Sequence, residues 1–201
     1  MKNVLMMALI FLLTGCSKDE PLIPLCNPGK YFPLEVGNYW VFENYRVHDD
    51  GLVEPRAGDS MFITSDTLML GMRYFHLQGT FTVHPINRYL TSDNGQIRSA
   101  SNFVFYECPR LIPSKKLYPI IDFDFPGTLS TTRLDTTIRV PAGDFHPVML
   151  FEAHSMLDDS IWIVTYKCFY SKNIGMVKFT ARNTSGDYEN VSELVRYHVG
   201  D

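Results

Sequence analysis

A two-residue alternation restricts the fold of this chain more than any other feature. Trp162, Val164, Tyr166, Cys168 and Tyr170 fall on one side of an extended run, and that side is almost uniformly aromatic or apolar. A β-strand with one core-facing surface reads this way, because successive side chains point to opposite faces. Phe145, Met149, Phe151 and Ala153 likewise share a side, leaving His146, Glu152 and His154 opposite. Short β-branched and aromatic runs, punctuated by Gly, Pro, Asn and Asp, continue along the chain from Tyr31. They predict strands over Tyr39–Val47, Ser60–Leu70, Arg73–Val83, Gln96–Ser101, Phe103–Cys108, Thr136–Val140, Phe145–Ala153, Ile161–Tyr170, Gly175–Ala181 and Glu193–Val199. Gly71-Met72 and Asn173-Ile174-Gly175 are short enough to close hairpins. No apolar helical stripe survives after the first 16 residues, so the expected fold is all-β or nearly so, and antiparallel.

Pro109 to Asp135 breaks that rhythm with prolines at 109, 113, 119 and 126 and an apolar stretch from Leu117 to Phe125. A long segment without regular structure is uncommon inside a compact domain. Its apolar residues argue for a wrap across a sheet face or edge. A lid over a cavity is the sharper alternative.

The first residues have a different composition. A basic Lys2, an apolar run from Val4 to Leu13, and small residues Thr14 and Gly15 precede Cys16. The run is shorter than the roughly 20 apolar residues of a transmembrane helix and has the parts of an export signal. Leu13-Thr14-Gly15-Cys16 resembles the bacterial lipobox. That resemblance implies a signal peptide over 1–15, a diacylglyceryl group on the Cys16 thiol and a mature chain anchored in a membrane. Two acyl chains hold stably where one is marginal, since each buried methylene contributes about 0.8 kcal/mol. Residues 16–30, with Pro21, Pro24 and Pro28, read as lipidated cysteine and extended tether, leaving 31–201 as a single β domain. Ser17-Lys18-Asp19-Glu20 is similar to the short acidic surface-export signal of Bacteroidota lipoproteins; solvated linker charge is the plainer reading. The expected location is the cell envelope, as an outer-membrane lipoprotein, with surface exposure if the acidic signal operates.

With 45% hydrophobic and 20% charged residues the chain is globular in composition. A net charge of −4 provides no basic footprint for nucleic acid or anionic head groups. Besides Cys16, the four cysteines include Cys26, Cys108 and Cys168, an odd number that permits at most one internal bridge. Cys108 and Cys168, at the ends of strand-like runs, are the first candidates for a disulfide. A buried free thiol is the alternative.

Two further stretches carry a resemblance. Tyr31-Phe32-Pro33-Leu34-Glu35-Val36-Gly37-Asn38-Tyr39-Trp40 is similar to an FPL-x-VGN-x-W opening. Val140-Pro141-Ala142-Gly143-Asp144-Phe145, followed by Tyr170 and Ile174-Gly175-Met176-Val177-Lys178, is similar to a VPAG-x-F … Y … GxVK pattern. Both resemble families of uncharacterised bacterial lipoproteins, of Bacteroidota type. The resemblance implies an open, strongly curved antiparallel sheet or half-barrel. Its motifs are turns and bends with no evident chemistry.

Enzyme signatures are absent: no G-x-S-x-G elbow, no H-E-x-x-H, no P-loop and no dinucleotide-binding glycine fingerprint. The six histidines are scattered. The pairs His76/His84 and His146/His154 are spaced too widely along a strand to meet on one metal. Asp122 and Asp124 alternate with Phe123 and Phe125 without a third oxygen ligand. No cofactor is expected. Asp59-Ser60, Asp66-Thr67, Asp135-Thr136 and Asp159-Ser160 each open a short pattern that resembles the Bacteroidota O-glycosylation acceptor. Chance would supply roughly one such match in this composition. Ser60, Thr67, Thr136 and Ser160 are therefore candidate glycan sites, against the plainer reading that Asp-Ser/Thr begins strands after turns. The expected function is a non-enzymatic, membrane-anchored binding or interaction module for a protein, glycan or apolar ligand. A periplasmic lipid or lipoprotein carrier, with 109–135 as its lid, is the alternative.

Overall fold

The computed structural model describes residues 27–82, 84–93, 95–101, 104–107, 127–134, 136–158, 161–184 and 186–200. Among them there is no α-helix. A short 3-10 turn, Pro28–Lys30, is capped by the Asn27 side chain, which accepts from the Gly29 amide at 3.0 Å. The strands are β1 (Tyr39–His48), β2 (Val53–Met69), β3 (Met72–Phe81), β4 (His84–Asp93), β5 (Gln96–Ser99), β6 (Val104–Glu107), β7 (Gly127–Leu134), β8 (Ile138–Val140), β9 (Gly143–Phe145), β10 (Val148–Asp158), β11 (Ile161–Ser171), β12 (Gly175–Asn183) and β13 (Tyr188–His198).

Eleven of these form one antiparallel sheet in the order β6-β5-β4-β3-β2-β1-β13-β12-β11-β10-β7, and β8-β9 make a separate hairpin. The two wings of the sheet curl toward each other. Tyr106 on β6 meets Tyr170 on β11 edge-on at 4.9 Å between ring centroids and lies 6.5 Å from Phe151 on β10, although these strands are far apart in sheet order. The fold is thus antiparallel and all-β, as the alternation predicts, and the curved half-barrel that the resemblance implies.

The core lies on the concave side. Trp40 and Phe42 of β1, Met61 and Ile63 of β2, Leu77 of β3, Tyr166, Cys168 and Tyr170 of β11, and Phe179 of β12 are buried there. Two other pieces help to fill the concavity. Phe32 stacks on Trp40 at 5.1 Å and meets Tyr170 edge-on at 6.3 Å, carrying the segment before β1 into the core. The β8–β9 hairpin packs against β13, where the Ala142 amide donates to the Leu194 carbonyl at 2.9 Å and Phe145 meets Tyr197 edge-on.

Several sequence expectations need correction. β4 is missing from the predicted strands because Pro85, Asn87 and Arg88 interrupt its apolar positions. Proline is tolerated at Pro85 because it stands next to the strand's first residue. Gly127–Leu134, read as the end of the irregular segment, is β7, held by register with β10 from Leu134↔Val148 to Gly127↔Ser155. Residues 108–126, where the wrap or lid was expected, lie outside the described residues, as do Asp122 and Asp124. The predicted strand Phe145–Ala153 is two elements, β9 and β10, separated by His146-Pro147. The first hairpin turn is Leu70-Gly71, with φ of 52° and 77°, rather than Gly71-Met72. At the start of the domain, Pro28 is buried and the Lys30 carbonyl accepts from the Asn173 amide, so the folded unit reaches back into the end of the proline-rich stretch.

Candidate functional site

Three surfaces could carry function. The concave face is built from alternate residues of nearly every strand, and alternation alone aims their rings inward. Phe32, Trp40, Tyr106, Phe151 and Tyr170 form one connected aromatic cluster at its centre. Burial raises the pKa of Tyr106, Tyr166 and Tyr170, so these phenols stay protonated. Burial likewise pushes the Cys168 thiol up to about 12, partly opposed by a hydrogen bond with Tyr170. A thiol in that state is neither a nucleophile nor a metal ligand at neutral pH. Among the described residues, the interior is packed by the protein's own side chains.

The convex face of β10–β13 is polar. Thr165, Lys167, Thr180, Arg182, Thr184 and Glu189 border a shallow open groove. Beside it His154 Nδ1 lies 3.0 Å from the Thr165 hydroxyl, and Glu152 is 3.7 Å from Lys167. Lys178 donates to Glu193 at 2.7 Å. Cross-strand pairs of this kind are ordinary on a solvated sheet and individually contribute little. No group of three His, Cys, Asp or Glu able to hold a metal occurs among the described residues.

The third surface is the tip of the β2–β3 hairpin. β2 continues past the start of β1 by several residues, and its end is exposed: Leu68 is 75% and Leu70 99% accessible. The local signal, Leu68-Met69-Leu70-Gly71-Met72, is present in the sequence, where its letters spell only strand and turn.

The predicted site residues are not brought together. Cys16, Cys26, Cys108 and Ser160 lie outside the described residues. Cys168 is a buried free thiol, and Cys108, its candidate disulfide partner, is outside the described residues. Thr67 and Thr136 are exposed and Ser60 is half-buried. Asp59, the acid before Ser60, is buried; its Oδ2 accepts from Asn44 Nδ2 at 2.6 Å. Asp66, before Thr67, pairs with Arg73 across the hairpin at 2.6 Å. Two of the four acidic positions therefore have structural work of their own.

An open, curled antiparallel half-barrel with its concavity filled by aromatic side chains is the class of fold these observations define. Among solved structures it resembles a protein assigned as exported, with a YmcC-like fold, from Bacteroides fragilis NCTC 9343, at 13% identity and a TM-score of 0.51, covering 84% of this chain and 98% of the other. A protein assigned as a lipoprotein from Parabacteroides distasonis ATCC 8503 is also similar, at 13% identity and a TM-score of 0.49, with the same coverage. No family model and no curated protein matches the chain.

Proposed function

We propose that this chain is an extracytoplasmic lipoprotein, held at the outer membrane by lipid on Cys16, whose half-barrel is a non-enzymatic binding or interaction module. The anchor rests on Leu13-Thr14-Gly15-Cys16 and the signal-like run before it. The Bacteroides fragilis protein of like fold being assigned as exported accords with that address. The observation that carries the binding role is the filled concave face. With Trp40, Phe42, Tyr106, Tyr170 and Phe179 buried against one another, the described interior is occupied by the protein's own rings. A partner protein or glycan would then be met on the outer surface, on the polar convex face or at exposed loops.

Intact mass of the protein extracted from its native membrane should show a lipid-modified chain beginning at Cys16, and Cys16→Ala should release it from the membrane fraction. An unmodified chain that begins at Met1, or a Cys16→Ala variant that stays membrane-bound, would overturn the anchor. Native mass spectrometry after gentle detergent extraction tests the module. Stoichiometric retained lipid beyond the anchor would favour the carrier reading instead.

A further inference from the structure

We propose that the tip of the β2–β3 hairpin, Leu68 to Met72, is a second membrane contact that dips into the bilayer to which the chain is tethered. The inference rests on the lipid-anchor reading above and adds how the domain is oriented on that membrane.

The first argument is placement. The start of β1, the β2–β3 turn, the β4–β5 turn and the β11–β12 turn all lie at one end of the barrel, because successive antiparallel strands alternate in direction. The segment from Asn27 joins that same end: the Lys30 carbonyl accepts from the Asn173 amide in the β11–β12 turn, and the Gly37 amide donates to Ile63 on β2. The chain therefore enters the domain on the rim from which the hairpin projects. Only ten residues, Ser17 to Cys26, separate Cys16 from Asn27. At about 3.3–3.6 Å per residue the tether cannot exceed roughly 40 Å. This rim is held within that distance of the lipid surface.

The second argument is chemistry. Leu70 sits at φ 52° in a two-residue hairpin turn, where Asn, Asp or Gly are the residues that adopt positive φ without strain. It gains nothing from packing, being 99% exposed. Leu68, Met69 and Met72 extend the apolar tip, and the nearest charges, Asp66 and Arg73, neutralise each other at 2.6 Å. The end of the barrel away from the tether also exposes apolar groups, Leu52 and Val53, but these stand among many charges: Glu54 beside Arg46 and Arg56, Asp49 paired with Arg182 at 2.7 Å, and the acids Asp50 and Asp187. Densely charged surroundings suit water. A neutral apolar tip beside the tether suits the interface between head groups and acyl chains, which such groups enter by about 5–10 Å.

The test uses the full lipidated chain in vesicles of phosphatidylethanolamine and phosphatidylglycerol, three to one, with brominated acyl chains as quencher. Leu70→Trp and, separately, Leu68→Trp place a reporter at the tip, and Leu52→Trp places one at the far end; the parent chain supplies the background of Trp40 and Trp162. Unchanged circular dichroism establishes folding, and the high exposure of all three positions leaves the core untouched. Quenching at 70 or 68 at least twice that at 52 is expected. Equal quenching at both ends, with the chain floating on vesicles and lipid mass found on Cys16, overturns the tip contact and leaves the anchor standing. Absence of lipid mass on Cys16 overturns the anchor, and the tip proposal with it.

Discussion

The indole Nε1 of Trp40 donates a 2.6 Å hydrogen bond to the carbonyl oxygen of Ile174, 134 residues further along the chain. The next residue, Gly175, has φ +106°, and a Cβ there would come within 2.8 Å of the same nitrogen. The two stretches that the sequence marks, Tyr31–Trp40 and Ile174–Lys178, are thus one packing unit: a tryptophan on β1 locks the β11–β12 turn, and the turn stays bare to admit it. Trp40→Phe should cost about 1–3 kcal/mol through the buried carbonyl left unpaired. Gly175→Ala should cost about 2–4 kcal/mol from strain at positive φ and overpacking. Urea midpoints at constant slope measure both, and the double variant should lose less than the sum because the sites share one contact. Additive losses would show the contact to be unimportant.

Alkaline pH should weaken the fold. Burial holds the Cys168 thiol up to about 12 against an ordinary value near 9.0, and Tyr45, Tyr106, Tyr166 and Tyr170 are also raised, Tyr45 by burial and then by Glu193. In the folded state these groups keep protons that the unfolded chain has released. The unfolded state therefore binds fewer protons, and stability falls as pH rises. Their contribution is complete below about pH 9 and is lost progressively above it. Denaturation midpoints should hold between pH 8 and 9 and decline steadily from pH 9 to 11, and Cys168 should resist alkylation at pH 8 until the chain is unfolded. Prompt alkylation of Cys168 in the native protein would contradict this.

Asn44 and Asp59 form a buried polar contact between β1 and β2. Asn44 Nδ2 donates to Asp59 Oδ2 at 2.6 Å and to the Ala57 carbonyl at 2.7 Å, beside the register shift between Phe42 and Asn44. Asp59→Ala should destabilise by about 1–3 kcal/mol, since an amide donor remains buried with one partner fewer. Asp59→Asn should recover part of that loss. Equal stability of all three chains by thermal unfolding would mean that water replaces the contact.

The candidate glycan sites now differ. Thr136 is exposed outside the main sheet, Ser60 is half-buried within β2, and Thr67 adjoins the apolar hairpin tip. A hexose there would hold Leu68 and Leu70 away from lipid. Peptide mass spectrometry of the native protein should find any glycan at Thr136 in preference to Ser60, with Thr67 bare. A glycan at Thr67 would count against the membrane contact of the tip.

Most of the sheet was legible because a strand with one buried face writes a period of two into its sequence. Tyr166, Cys168 and Tyr170 announced their side, and the structure buries all three. β4 escaped because its polar and charged positions leave little apolar contrast. β7 escaped because Thr, Ser and Gly at 127–132 also compose loops, and only pairing with β10 makes them a strand. The tip was visible as letters, but a leucine in a strand-turn pattern reads as core until the pairing shows that nothing covers it.

The sequence by itself determined the antiparallel all-β class, the inward side of the central strands and the turns that join them, because these depend on near neighbours in the chain. Tertiary structure alone decided that the two wings of the sheet meet through Tyr106, Tyr170 and Phe151, that Phe32 and the β8–β9 hairpin fill the concavity, and that the Asn27 end and the Leu70 tip share a rim. Contacts between residues this far apart in the chain follow from curvature and register summed over many strands. No local pattern encodes that sum.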